Sequence, residues 1–359
     1  VYNGDAAANI TLTYSGLVGS ETLSTASSSA TFSDKNVATG KTVTVNSITL
    51  GDGTIGGLAS NYSVTTGQTT TANITVKSIT VEGITISNKA YDGNTSAVVS
   101  GVSGVTFVGK VAGDNLEVVN SGITAAFNNK NVGDTKPITL SGITLSGDDA
   151  RNYVVAASLA TANITPKEVT LSASKVYDGS TSLAGDVTVA TGIGSETLTY
   201  TGATSNDAHV ATNAKYISAI TLVDGSGGGV ATNYKLPELN NGNAPVTITV
   251  KTLTPTISNT GVTKVYDGTT DSLFTPTYSF AGLVAGDSNA TLTHTGKVYN
   301  NAHVVGANII TVSGLSISGI SGTNGSQSTD YILDSSSKTV SAAITTKTLT
   351  PTVTNTEVT

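Results

Sequence analysis

Apolar and polar residues alternate with a period of two along nearly the whole chain, and no window places apolar residues at the i, i+3, i+4 spacing of a helix. Val43-Thr44-Val45, Ile138-Thr139-Leu140, Ile220-Thr221-Leu222 and Ile310-Thr311-Val312 are typical runs. Side chains of a strand point alternately to its two faces, so such runs fit half-buried strands rich in Val, Ile, Thr and Tyr. Gly, Asn, Asp and Ser break the pattern roughly every 8–12 residues, the spacing of turns in an all-β domain. The pattern predicts an all-β chain.

One tripeptide organises these strands. Tyr2-Asn3-Gly4, Tyr91-Asp92-Gly93, Tyr177-Asp178-Gly179 and Tyr266-Asp267-Gly268 recur with steps of 89, 86 and 89 residues. That period is too long for a solenoid rung and suits a small domain. A second motif follows each copy: Gly16-Leu17-Val18-Gly19-Ser20-Glu21, Gly109-Lys110-Val111-Ala112-Gly113-Asp114, Gly192-Ile193-Gly194-Ser195-Glu196 and Gly282-Leu283-Val284-Ala285-Gly286-Asp287. A third is Lys35-Asn36-Val37-Ala38-Thr39-Gly40-Lys41 and Lys130-Asn131-Val132-Gly133-Asp134-Thr135-Lys136, its Lys-Asn replaced by Ala208-His209 and Ala302-His303 in the later copies. Then come Asn61-Tyr62, Asn152-Tyr153, Asn233-Tyr234 and Asp330-Tyr331, and each copy closes on an Ala/Thr-x-Ile-Thr strand and a lysine (Lys77, Lys167, Lys251, Lys347).

These motifs predict tandem Ig-like β-sandwiches of about seven short strands each. The boundaries are 1–76 (lacking its first strand), 77–166, 167–250 and 251–346, with 347–359 the opening strand of a truncated fifth copy. The connecting stretches 77–90, 167–176 and 251–265 alternate like strands, so each opens the following domain and leaves only short junctions. Four such domains in line, with strands of about ten residues at ~3.3 Å rise, give an elongated rod of ~150 Å. The unpaired tail reads first as the edge of a window on a longer array; the second reading is that it fills the vacant edge of the next molecule's first domain, head to tail. Asp-Gly suits a positive-φ turn. Tyr2, Tyr91, Tyr177 and Tyr266 are expected to insert between the sheets with the hydroxyl on a backbone partner, and Tyr62, Tyr153, Tyr234 and Tyr331 to be second anchors of the same kind.

Composition narrows the function. Charged residues are 11% of the chain and hydrophobic residues 38%, so cores are affordable while the surface is hydrated mainly by hydroxyls and amides. Net charge is −7 with no basic run, against nucleic-acid binding. No segment has the length and apolarity of a membrane span. Cysteine is absent, so disulfides and thiolate metal sites are excluded. The sequence opens without an initiator Met, as a segment of a longer protein would. His209, His294 and His303 are the only histidines, and His209 and His303 occupy the same turn one domain apart. They read as ordinary surface-turn residues, and no His–carboxylate–nucleophile set or enzyme is expected.

Calcium is the one cofactor to consider, through Asp52, Asp114, Asp148, Asp149, Asp224 and Asp287. No Asp-x-Asp-x-Asp loop organises them, and turn formation accounts for these residues. For glycans, Trp is absent and Tyr14, Tyr200, Tyr216, Tyr278 and Tyr299 do not recur across all four copies. Weak multivalent polysaccharide binding is the alternative function.

The ordered set Lys-x-Tyr-Asp-Gly, Gly-x-Val-x-Gly-Asp, Lys-Asn-Val-Gly, Asn-Tyr and Ala-x-Ile-Thr-Pro-Lys (complete at Ala162 to Lys167) resembles the YDG/MBG, mostly-β, repeats of large bacterial surface exoproteins. It extends over essentially the whole chain. Asn3, Asp330 and the altered third motif of the last two copies depart from it. The resemblance implies an extracellular stalk at the bacterial cell surface, in filamentous-haemagglutinin-like or biofilm-matrix adhesins. It implies neighbouring repeats or copies of itself as partners, and neither a catalytic site nor a defined ligand.

Overall fold

In the computed structural model, which describes residues 1–354, strands follow the alternation and no α-helix occurs among the described residues. The chain divides into two compact units, Val1–Pro166 and Lys167–Thr359. Each holds two of the repeats.

In the first unit, repeat one is a four-stranded antiparallel sheet in the order Ala7–Ala8, Leu23–Phe32, Ala38–Asp52, Thr69–Ile74. Repeat two carries a mixed seven-stranded sheet around the long strand Tyr153–Thr165, with two short ribbons beside it. The second unit is built from small two- to four-stranded sheets. Burial follows the sequence period: along Thr170–Val176 the side chains of Leu171, Ala173 and Lys175 point inward and those between them face water.

The connecting stretches pair within the repeat they open. Lys77 lies opposite Tyr153, Lys167 opposite Tyr234 and Lys251 opposite Tyr331, all in parallel register. The same stretch then bends and its second half pairs, again in parallel, with the closing strand: Ala90 with Thr165, Val176 with Thr249 and Val265 with Thr345. Residues 347–354 of the tail form no strand, and residues 355–359 of the expected fifth-repeat strand lie outside the described residues.

The four Asn-Tyr or Asp-Tyr pairs share a local form that a period-two reading does not contain. A single 3₁₀ turn, Ala59–Asn61, Ala150–Asn152, Ala231–Asn233 or Ser328–Asp330, delivers the chain into the tyrosine. One turn of three residues is too short to leave a periodicity.

Repeat four has a core of its own, and another cluster crosses a repeat boundary. The former lies around Tyr299, Ile310, Val312, Val340 and Ile344. In the first unit a single cluster joins Tyr2 and Ile74 of repeat one to Ile79, Leu116 and Tyr153 of repeat two, with Phe32, Val37 and Val111 packed on it. The boundary between these repeats is thus a hydrophobic core in its own right.

Candidate functional site

The tripeptide builds one end of each repeat. Tyr2, Tyr91, Tyr177 and Tyr266 donate their backbone amides to Thr75, Thr165, Thr249 and Thr345, each at 2.8 Å, tying the turn to the closing strand. The next residue makes a second tie. Asp92, Asp178 and Asp267 accept from Lys89, Lys175 and Lys264 at 2.7, 2.7 and 2.8 Å. The same Oδ1 accepts the amide two residues on, at Asn94, Ser180 and Thr269. Asn3 supports the corresponding turn through a bond from the Asp5 amide. Lys264 holds the Asp267 carboxyl down at about 2. Burial pushes against ionisation of Asp92 and Asp178, but the lysine and amide bonds outweigh it and both carboxyls fall below their usual range. Gly4, Gly93, Gly179 and Gly268 all have φ between +80° and +90°, where a β-carbon is strained.

The other end of each repeat brings the second motif against the Asn-Tyr tyrosine. Tyr62 donates its hydroxyl to Glu21 at 2.5 Å, Tyr153 to Asp114 at 2.5 Å, Tyr234 to Glu196 at 2.7 Å and Tyr331 to Asp287 at 2.5 Å. The hydroxyls of Tyr62, Tyr153 and Tyr331 also accept a backbone amide, from Val18, Val111 and Val284. Asp114 and Asp287, candidate calcium ligands by sequence, here receive tyrosine hydroxyls, and Asp52, Asp149 and Asp224 accept backbone amides. Among the described residues no three His, Asp or Glu side chains cluster as a metal site.

These two ends meet inside each unit. In the first, the Tyr2 hydroxyl donates to Asp114 of repeat two at 2.9 Å, and its ring meets Tyr153 edge-on at 5.4 Å. Lys35 reaches both Asp114 and Asp149 at 3.4 Å. Asn152 accepts the Val37 amide and donates to Asn36. In the second unit, Tyr177 and Ser326 share a hydrogen bond at 2.6 Å, Ser326 donates to Asp287, and the Tyr177 ring meets Tyr331 at 5.6 Å. His209 Nδ1 lies 2.9 Å from Asp330, which also accepts the Val210 amide.

The tripeptide glycine serves this approach as well. A β-carbon on Gly4 would stand 2.5 Å from Val111, and one on Gly179 2.8 Å from Asn324. Burial would raise the Asp114 carboxyl, yet the bonds from Tyr153, Tyr2 and Lys35 prevail and lower it. Burial and this carboxylate push the Tyr153 hydroxyl up to about 12.

Two expectations are corrected here. The hydroxyls of Tyr2 and Tyr177 go to side chains of the following repeat rather than to backbone, because a carboxylate or serine stands where the ring emerges. His209 is a half-buried junction residue paired with a carboxylate, since the turn that carries it faces the next repeat. Lys41 and Lys136, which close the third motif, and Lys215 carry a role that sequence reasoning did not assign. These buried lysines clamp the third motif by bonds to Asp34, to Asn129, and to the Val210 and Thr212 carbonyls. Their recurrence six residues after Lys35, Lys130 and His209 was the available signal.

Tyr91 is likewise buried, with Lys130 5.8 Å from its ring centroid. The open ends differ. Asn61 is exposed and Val18 is 70% exposed, whereas Asn152 and Asp330 are fully buried. Tyr266 is half-buried where Tyr2 and Tyr177 are 1% exposed.

No curated protein and no solved structure matches the chain. The profile of the YDG domain matches residues 1–72, 75–163, 160–241 and 249–342. With nearly every residue inside one of these matches, and with the tripeptide at the joint wherever two repeats of a unit meet, the chain belongs to the YDG domain family as four tandem copies.

Proposed function

We propose that this chain is a structural stalk or spacer segment of a secreted bacterial adhesin, extending a distal binding region in cell–cell or biofilm-matrix contact. The observation that carries the reading is the shared core between repeats one and two, in which Tyr2, Asp114 and Tyr153 turn a domain boundary into a packed, hydrogen-bonded joint. A joint without a slack linker transmits orientation from one domain to the next, which a spacer requires and a flexible tether lacks. The hydroxyl- and amide-rich surface and the absence of cysteine are compatible with export and an extracellular, cell-surface setting. The finer architecture belongs to the same proposal: Ig-like sandwiches in line, forming a rod.

Small-angle scattering on the full chain, paired with co-sedimentation with exopolysaccharide and with cells, tests it. A monomeric rod of ~150 Å, from about ten-residue strands at ~3.3 Å rise, without saturable binding supports the spacer. A compact particle refutes it. Saturable binding competed by one sugar would replace it with direct, low-affinity multivalent recognition by the repeats.

A further inference from the structure

The two joints use different polar pairs at one position. In the first, Lys35-Asn36 of the leading repeat faces Asp149 and Asn152; in the second, Ala208-His209 faces Asp330, and Gln327 stands where Asp149 would be. Part of the bonding is common: Asn152 Oδ1 accepts the Val37 amide at 3.0 Å and Asp330 Oδ1 the Val210 amide at 2.8 Å.

The remaining atom reverses polarity. Asn152 Nδ2 donates to Asn36 Oδ1 at 3.1 Å, whereas Asp330 Oδ2 faces His209 Nδ1 at 2.9 Å. An ionised carboxylate only accepts, so Nδ1 carries the hydrogen. Charge moves in step. Lys35 balances Asp114 and Asp149 in the first joint; where alanine replaces that lysine, a carboxylate sits at Asp330 opposite an imidazole. Exchanging Asp330 for Asn alone forces His209 out of the tautomer that the carboxylate holds, and exchanging Asn152 for Asp alone sets a carboxylate against Asn36 Oδ1.

We propose that this position decides which repeat follows which: His on the leading face takes an Asp-Tyr repeat, and Asn takes an Asn-Tyr repeat. The leading face of repeat four is of the His type and already formed. His303 stacks on Tyr266 at 6.2 Å and 20°, as His209 stacks on Tyr177 at 6.3 Å and 23°. Its amide is held by Asn301 as that of His209 is held by Asp207. Around it Val304 and Val305 are exposed, the latter at 88%. This face is therefore a docking surface whose occupant is a further YDG repeat of the Asp-Tyr type, chemically a second copy of repeat four. The inference rests on the joints alone and does not depend on a role in adhesion.

A double-mutant cycle in the full chain tests the rule, read by exchange of the Val210 amide. His209→Asn and Asp330→Asn are each expected to speed exchange about tenfold, the scale of one lost hydrogen bond to a charged group, and the pair together to return within about threefold of the original. A double variant as fast as the product of the singles overturns the rule.

For the open face, residues 347–359 are replaced by a second copy of residues 251–346. That copy is expected to protect the Val304 amide at least about tenfold more than the same copy carrying Asp330→Asn, with His303→Asn restoring the Asn copy. Equal protection by both, or protection by neither, overturns the docking assignment.

Discussion

The carboxylate of Asp114 is the part of the first joint most open to a quantitative test. Its Oδ2 takes both tyrosine hydroxyls, from Tyr2 in one repeat and Tyr153 in the other, and the group is buried. Asp114→Asn keeps the shape. With the amide oxygen turned to the hydroxyls, two bonds to a charged acceptor become two neutral ones, a loss of about 1–1.5 kcal/mol each. The amide group then faces Lys35, so the expected total is about 2–3 kcal/mol, or roughly 30–150-fold in an opening equilibrium. Native-state hydrogen exchange on the full chain reads this at the Val45 amide, bonded to Gln68 in repeat one, and the Phe127 amide, bonded to Thr95 in repeat two. Because the Tyr2–Tyr153 cluster spans both repeats, both amides are expected to accelerate by that factor. Acceleration of Phe127 with Val45 unchanged would show that the joint does not couple its repeats. A change below about threefold at both would refute the worth assigned to the carboxylate.

Further expectations concern the tripeptide and pH. Gly4→Ala and Gly268→Ala both place a β-carbon at positive φ, but only Gly4 has Val111 against it, so it is expected to cost about 1–3 kcal/mol more by denaturant unfolding. Lys175→Met leaves Asp178 and the Ser180 and Ser182 carbonyls without their donor and is expected to cost about 2–3 kcal/mol in the same assay. Asp92, Asp114, Asp178 and Asp267 are depressed in the folded chain, so their contribution is complete above the unfolded carboxyl range near pH ~4 and is lost as pH falls through the folded values, toward about 2 for Asp267; acid titration by circular dichroism should show loss in that window. Tyr153 is raised to about 12, so its contribution is complete below pH ~10 and declines from there to 12, which tyrosinate absorbance at 295 nm (roughly, the usual band) can follow alongside unfolding.

Strands were legible because one face of each is buried, and burial forces the period of two, as Leu171, Ala173 and Lys175 illustrate. The turn at Asp-Gly was legible because few residues besides glycine accept positive φ. The partner of Tyr2 was not. Asp114 stands 112 residues away, and a repeat pattern does not say which end of one copy meets which end of the next. His209 was misread for the same reason: its partner Asp330 is a single departure from Asn in another repeat, visible only once the two are in contact. Buried Lys41, Lys136 and Lys215 contradict the usual surface placement of lysine, and only carbonyls and side-chain oxygens gathered by the fold explain them.

The parallel pairing made by the opening stretches of repeats two, three and four has a consequence under load. Tension enters repeat two beside Lys77 and leaves beside Thr165, at opposite ends of two stretches that run side by side in the same direction. Pulling slides them past one another, so the cross-strand bonds at Lys77–Glu82 and Lys89–Ala90 are strained together instead of opening one at a time like a zipper. The same geometry recurs at Lys167 and Lys251. A repeat whose bonds share the force in this way yields at a higher pull than one whose bonds open in turn.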